Sequence, residues 1–311
     1  MDDRSLFILF LEMAGFNKKE SESIFNDFKE SEIKMDDFVK LRLSRKSKNI
    51  FEQLTLIKFA TAYDDPVIRK DIEYAIDQDF SHIKGDLHIH TNWSDGSSSI
   101  KQIADEAKKI GYKYIAITDH SLVGKGKVEM DQKKFMKQIE EIDNIQRFLD
   151  IKIIKGIEID INVDGSLDYT DDILKNADIV IGSVHFDYGQ GPTKALELLE
   201  KLFYNQSIDI IAHPLNKIGK ECFLNNFDKL LYLAEKNMKI FEINLSPDRI
   251  RESIFLVDIF KDSDVMFSFG TDSHSRKQMR LMSLSNLWNS MINEKMILNT
   301  YEDPISLLKK R

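Results

Sequence analysis

From Gly85 onward, short apolar runs alternate with helical patterns, and no other feature of this 311-residue chain constrains its fold as strongly. Strands separated by helices pair in parallel, because the crossover between them needs a dozen residues or more. The spacing predicts seven strands, over 86–91, 114–118, 151–159, 178–184, 208–212, 239–245 and 265–270. Helical patterns lie between or after them, over 98–110, 131–148, 193–205, 227–237, 251–263 and 278–291. The first is the clearest: serines can cap its start and Gly111 follows its end. Seven β/α units predict a closed or nearly closed barrel. The glycine fingerprint of an open dinucleotide-binding sheet is missing.

In such barrels the active site lies at the carboxyl ends of the strands. Those ends carry His88 and His90, then His120, Glu158, His185, His213, and finally Asp272 and His274. In His88-Ile89-His90 the period of two sends both imidazoles to one face. Asp95 sits in a Ser-Asp-Gly turn, where its carboxylate can fold back over that strand end. Six of the seven histidines therefore gather in register, which chance alternation of core histidines does not produce; His82 precedes the first strand and reads as surface or linker. Nine nitrogen and oxygen ligands without a thiol favour Zn²⁺, Mn²⁺ or Fe²⁺. Nine are too many for one ion and crowd two, whereas three divalent ions fit if a carboxylate bridges. Adjacent ions suit hydrolysis, by activating water and neutralising phosphoryl oxygens. Asp86 and Asp119 are candidates to hold second ring nitrogens, and read equally well as strand-end turn residues.

The net charge of −8 argues against broad non-specific binding of nucleic acid but leaves room for a local basic patch. Lys125, Lys127, Lys217, Lys220, Arg249, Arg251, Arg276, Lys277 and Arg280 fall mostly in loops after the strands. Lys125, Lys127 and Arg276 are candidate phosphate contacts. Trp93, Phe186 and Tyr188 adjoin ligand positions and can stack a base or pack as wall. The lone cysteine, Cys222, lies in a loop-like run and excludes an intrachain disulfide, which fits a reducing cytoplasm. Residues 1–80 read as a small all-helical region of four or five helices, ahead of a catalytic domain over 81–311. The apolar run near Leu6 follows an acidic head and stops at Glu12, so neither a signal peptide nor a membrane span is expected.

The ordered set Asp-x-His-x-His, Ser-Asp-Gly, Thr-Asp-His, Gly-Ile-Glu, Val-His, His-Pro, Asp-Ser-His resembles the polymerase and histidinol phosphatase (PHP) family. The likeness is strongest to the PHP domain of family X DNA polymerases, with residues 164–168, Pro247-Asp248-Arg249 and Ile297-Leu298-Asn299-Thr300 adding to it. It implies an α/β fold, a distorted (β/α)7 barrel, with a trinuclear metal centre. One ion would be held by His88, His90, Glu158 and Asp272, a second by Glu158, His185 and His213, and a third by Asp95, His120 and His274. It also implies phosphoester hydrolysis, with 3′-5′ exonuclease-like action on DNA 3′ ends or oligonucleotides and a DNA-repair setting. Arg249, in the shared motif after the sixth strand, is the expected catalytic residue stabilising charge at phosphorus. A phosphatase of small phosphomonoesters, histidinol-phosphatase-like, is the alternative, and a non-catalytic DNA-repair module is a third reading from another class. Residues 1–80 lack the Gly-Ser motif of a polymerase module, so no polymerase activity is expected, and the loop at 121–127 departs from the family pattern.

Overall fold

The computed structural model describes residues 8, 11, 16, 18–29, 75, 78–121, 130–186, 189–247 and 249–308. Seven parallel strands pair each with the next in chain order. They are β1 Gly85–Asp86, β2 Tyr114–Ile117, β3 Lys152–Asp160, β4 Ile179–Ser183, β5 Ile210–Ile211, β6 Ile240–Asn244 and β7 Phe267–Gly270. α1 (Lys18–Lys29) precedes them. The intervening helices are α2 Ile100–Ile110, α3 Gln132–Gln146, α4 Asp171–Leu174, α5 Gly191–Tyr204, α6 Lys220–Asn225, α7 Phe227–Lys236 and α8 Ile250–Phe260, with α9 Pro304–Leu308 last.

Local chemistry explains these elements. Ser99 caps α2 in a reciprocal box with Gln102, Gly111 ends it at φ 98°, and Ile100, Ile103, Ala104 and Ala107 form its buried stripe. The alternation along each strand divides its apolar residues between two clusters. Ala116, Ile154, Ile179, Ile181, Ile210 and Ile240 fill the inside of the barrel, closed below by Leu298, Ile305 and Leu308. Ile115, Ile117, Ile153, Ile157, Val180, Phe241 and Phe269 face the helices in the larger cluster. Leu11, Ile24 and Ala75 join that larger cluster, so the described N-terminal residues share the barrel's outer core.

Some expectations change. The helix predicted over 278–291 is instead a 3-10 segment, Gln278–Trp288, in which eight residues are buried and no single face is apolar. Ser283 donates to the Arg280 carbonyl and Asn286 to that of Ala75, side-chain bonds to backbone that compete with α-helical pairing. Cys222 lies in α6 rather than in a loop, half-buried near the Pro192 carbonyl. The strand predicted over 86–91 stops at Asp86, because a bend at Leu87 shifts the alternation. Leu87 points into the barrel while Ile89 faces the helices. Most of the predicted N-terminal helices fall outside the described residues.

Side chains close the barrel between β7 and β1. Asn299 donates to the carbonyls of Gly85 (2.9 Å) and Phe269 (2.8 Å) and accepts from Phe269 N–H (2.6 Å). The Asp86 carboxylate accepts from the backbone of His88 (3.1 Å) and Thr271 (3.2 Å) and from the Thr271 hydroxyl. Beyond the strands, the bridge between Ile89 and Ser273 and the His90 N–H to Ser273 carbonyl bond (2.8 Å) complete the seam. Asn299→Ala removes three buried bonds at roughly 1 kcal/mol each. It is expected to lower stability by about 3 kcal/mol in urea unfolding. The near-isosteric Asn299→Asp, whose carboxylate faces two carbonyl oxygens, is expected to cost at least as much.

Candidate metal centre

The site is built on Glu158, which lies on the inward face of β3 near its carboxyl end and is 1% exposed. Its Oε2 lies 2.8 Å from His120 Nδ1, 3.3 Å from His88 Nε2 and 3.5 Å from His90 Nε2. Its Oε1 lies 3.0 Å from His213 Nε2 and 3.4 Å from His185 Nε2. Asp272 Oδ1 is 3.0 Å from His90 Nε2, and Asp95 Oδ1 is 3.2 Å from His274 Nε2. His120 Nε2 stands 3.7 Å from Asp95 Oδ2. All nine residues singled out as ligands thus meet at the carboxyl ends of the strands. Two of them, His213 (φ 27°) and Asp272 (φ 52°), hold left-handed backbone that non-glycine residues rarely adopt, strain of the kind that clusters at functional sites.

The pairing is incomplete in a way that fits metal ions. His120 Nδ1 and Glu158 Oε2 approach to 2.8 Å without hydrogen-bond alignment, and both are buried without a hydrogen-bond partner, as are His90 Nδ1 and His213 Nδ1. His88 Nε2 and His90 Nε2 face one another at 3.0 Å. Buried polar atoms are normally satisfied, so lone pairs converging on common points are what a cation would satisfy. Three groups have donor atoms all within 4.8 Å of one another: His90–Asp95–His120–His274, His88–His90–Glu158, and His120–Glu158–His185. The first contains the Asp95, His120 and His274 set implied by the family likeness. His90 and His120 each belong to two groups and tie the three together.

The electrostatics follow from crowding. Burial disfavours the Glu158 carboxylate, but His120, His185 and His88 outweigh it and hold its pKa well below the ordinary range. Asp95 is lowered likewise, against burial, by His274 and His120. Burial opposes the charged forms of His120 and His274, yet Glu158 raises the former and Asp95 the latter, each to about 9. His90 moves down to about 4, through burial and then its neighbours His274 and His120. Without a cation, the cluster is therefore a set of buried ion pairs sharing carboxylates.

Around the ligands lies a second layer. Asp160 Oδ1 is 2.8 Å from His185 Nδ1, and Glu242 Oε1 is 2.5 Å from His88 Nδ1. Sequence reading singled out neither as a site residue. The available signal was register: Asp160 is two residues beyond Glu158 on one strand, and Glu242 interrupts an apolar run. Asp86 and Asp119, expected beside ring nitrogens, bond elsewhere. Asp86 holds the seam, and burial pushes its pKa up to about 7. Asp119 accepts from the Thr91 amide and hydroxyl (2.7 and 2.6 Å), the Ser94 hydroxyl (2.5 Å) and Gln138 (2.6 Å). It fixes the loop that carries Asp95.

The candidate substrate residues spread along the rim. Arg249 Nη1 donates to Asn216 Oδ1 at 3.0 Å and lies 3.5 Å from Glu252. It lines a small pocket with His213, Glu242 and Asn244. Arg276 is exposed, and its N–H donates to the Ser98 hydroxyl. Lys217, Lys220, Arg251, Lys277 and Arg280 are also exposed. Trp93 is tethered to Glu141 through its indole N–H (2.9 Å), and Phe186 stands edge-on to His185. Lys125, Lys127 and Tyr188 lie outside the described residues.

A barrel with metal-ligating side chains at its strand ends defines the class, and the PHP domain model matches residues 86–245. The chain belongs to the PHP domain family. Among its relatives is the DNA polymerase/3′-5′ exonuclease PolX of Bacillus subtilis (strain 168), 38% identical over 200 residues. That match covers 63% of this chain but only 35% of the relative's length. A probable phosphatase from Thermoanaerobacter sp. (strain X514) is 30% identical over 228 residues, covering 69% of this chain and 89% of the relative. A solved histidinol phosphate phosphatase from Lactococcus lactis, complexed with zinc, L-histidinol and phosphate, shares the fold. It has a TM-score of 0.50 at 19% identity, over 66% of this chain and 92% of that one. Among the described residues no helix is long and apolar enough to cross a membrane.

Asp95→Asn is expected to remove one bound ion per chain and leave those around Glu158 in place, as read by elemental analysis after dialysis. Equal loss of every ion would overturn that grouping. Adding Zn²⁺ at a hundred times its Kd to chelator-treated protein is expected to stabilise the fold by about 2.7 kcal/mol per site. Thermal melts with and without the metal check this.

Proposed function

We propose that this metal-dependent phosphoesterase of the PHP family hydrolyses phosphodiesters at nucleic-acid 3′ ends, working from 3′ to 5′ on DNA or oligonucleotides. The observation that carries the reading is the convergence of all nine ligand residues on one buried floor, in a chain similar to a relative named as a 3′-5′ exonuclease. His88, His90, Glu158 and Asp272 would hold one ion, Glu158, His185 and His213 a second, and Asp95, His120 and His274 a third. Zn²⁺, Mn²⁺ and Fe²⁺ suit these donors. When bound, such ions supply an activated water and neutralise charge on the phosphoryl oxygens.

The protein's own part is positioning. Asn216 and Glu252 hold the Arg249 guanidinium beside His213, preorganised to donate to a phosphoryl oxygen as charge grows on it. The exposed Arg276 and Lys277 offer salt-sensitive contacts to the next phosphates along the strand. Phe186, beside His185, offers a face on which the terminal base stacks. Lys125 and Lys127, in the loop that follows the ligand His120 in sequence, are proposed as further phosphate contacts.

One observation favours a second reading, a phosphatase of small phosphomonoesters: the probable phosphatase that resembles this chain is matched over most of its length. Purified protein with Mn²⁺, given end-labelled single-stranded DNA and a phosphomonoester panel, separates the two. Stepwise shortening from the 3′ end is expected. Cleavage of monoesters with DNA left intact would establish the second reading. Arg249→Ala is expected to lower kcat/KM on the preferred substrate by roughly 10²–10³-fold with metal content unchanged. Cellular function left unchanged by substituting His90 and Glu158 would point instead to a non-catalytic module.

A further inference from the structure

We infer that Glu242 is a positioning residue that fixes the ligating faces of His88 and His213 together, and so braces two ion sites with one carboxylate. The inference rests on the metal-centre reading above. Glu242 is 2% exposed on the inward face of β6. Its Oε1 is 2.5 Å from His88 Nδ1. Its Oε2 accepts the His213 backbone N–H at 3.0 Å and the Asn244 amide at 3.2 Å. Both oxygens are thus engaged, and among the described residues its ion-pair partner is His88 rather than a lysine or arginine.

An ionised carboxylate only accepts hydrogen bonds, so the proton between Glu242 and His88 belongs on Nδ1. That leaves Nε2 as the ligating nitrogen, and Nε2 is the atom that faces His90 Nε2 at 3.0 Å and Glu158 at 3.3 Å. A carboxylate behind an imidazole raises its basicity and locks its orientation. The second bond acts through backbone. His213 sits at φ 27°, and the amide held by Glu242 secures the turn that brings its Nε2 to 3.0 Å from Glu158. Asn244 extends the brace, donating to Asp272 Oδ2 at 3.2 Å as well as to Glu242. Space for this arrangement comes from Gly270: a Cβ there would lie 2.4 Å from Glu242 Oε1 and 2.6 Å from His88 Cβ.

His88 and His213 belong to the two ion sites that share Glu158, whereas Asp95, His120 and His274 make up the third. The full chain and its Glu242→Gln variant are titrated with Zn²⁺ against a competing chelator. The variant is expected to bind the Glu158-linked ions about 10–100-fold more weakly, with the remaining ion and the melting temperature of the metal-free protein unchanged. Imidazole ¹⁵N spectra of Zn²⁺-loaded wild type are expected to show a proton on His88 Nδ1 and metal on Nε2. Glu242→Gln that binds every ion as wild type does would overturn the inference, as would wild-type His88 coordinating through Nδ1. That spectrum decides the matter if the variant does not fold. Wild type that takes up no Zn²⁺ would overturn the metal-centre reading itself, whereas wild type loaded and variant equally loaded overturns this inference alone.

Discussion

A single buried carboxylate faces five imidazoles. Glu158 lies within 3.5 Å of ring nitrogens from His88, His90, His120, His185 and His213, contributed by four separate strand ends. Placing so many titratable groups out of water is costly unless each is paired or coordinated. The barrel makes the arrangement possible, because parallel strands deliver their carboxyl ends to one rim at fixed spacing. Everything described at the rim, from the strained turns at His213 and Asp272 to the Asp119-anchored loop, serves to keep these groups converging.

Much of this was legible in the sequence, for a physical reason. A ligand that terminates a strand occupies the same place in every β/α unit, so a recurring His or carboxylate after an apolar run is visible without coordinates. The seven strands were legible on the same grounds, since a parallel strand buried on both faces is a short apolar block between helices. Glu242 and Asp160 were not, because a carboxylate within a strand announces its direction but not what lies across the barrel. Asp86 and Asp119 looked like partners for ring nitrogens only because they adjoin ligands in sequence. Side-chain direction sends them to the seam and to the Asp95 loop instead.

The 3-10 segment Gln278–Trp288 teaches a related lesson. Its apolar residues suggested a helix, but a segment buried on all sides has no stripe to orient it, and Ser283 and Asn286 are taken up with backbone partners. Likewise β1 was read as a six-residue strand and is two residues long, since the Asp86 side chain captures the His88 amide and bends the chain at Leu87. That bend places His88 beside His90 while Leu87 stays inside the barrel. The irregularity is thus part of the site's construction.

The seam between the first and last strands has a consequence for how the molecule acquires its active form. Asp86 and Thr271 are 185 residues apart in sequence, and Asn299 reaches back 214 residues to Gly85. Loop closure over such distances is the slow, late part of assembling a fold. His88 and His90 stand on one side of that seam, and Asp272 and His274 on the other. A chain emerging from the ribosome therefore carries both halves of the rim apart until Thr271 and Asn299 have been made. The rim is then completed only when the seam closes, and its two halves separate when the seam parts.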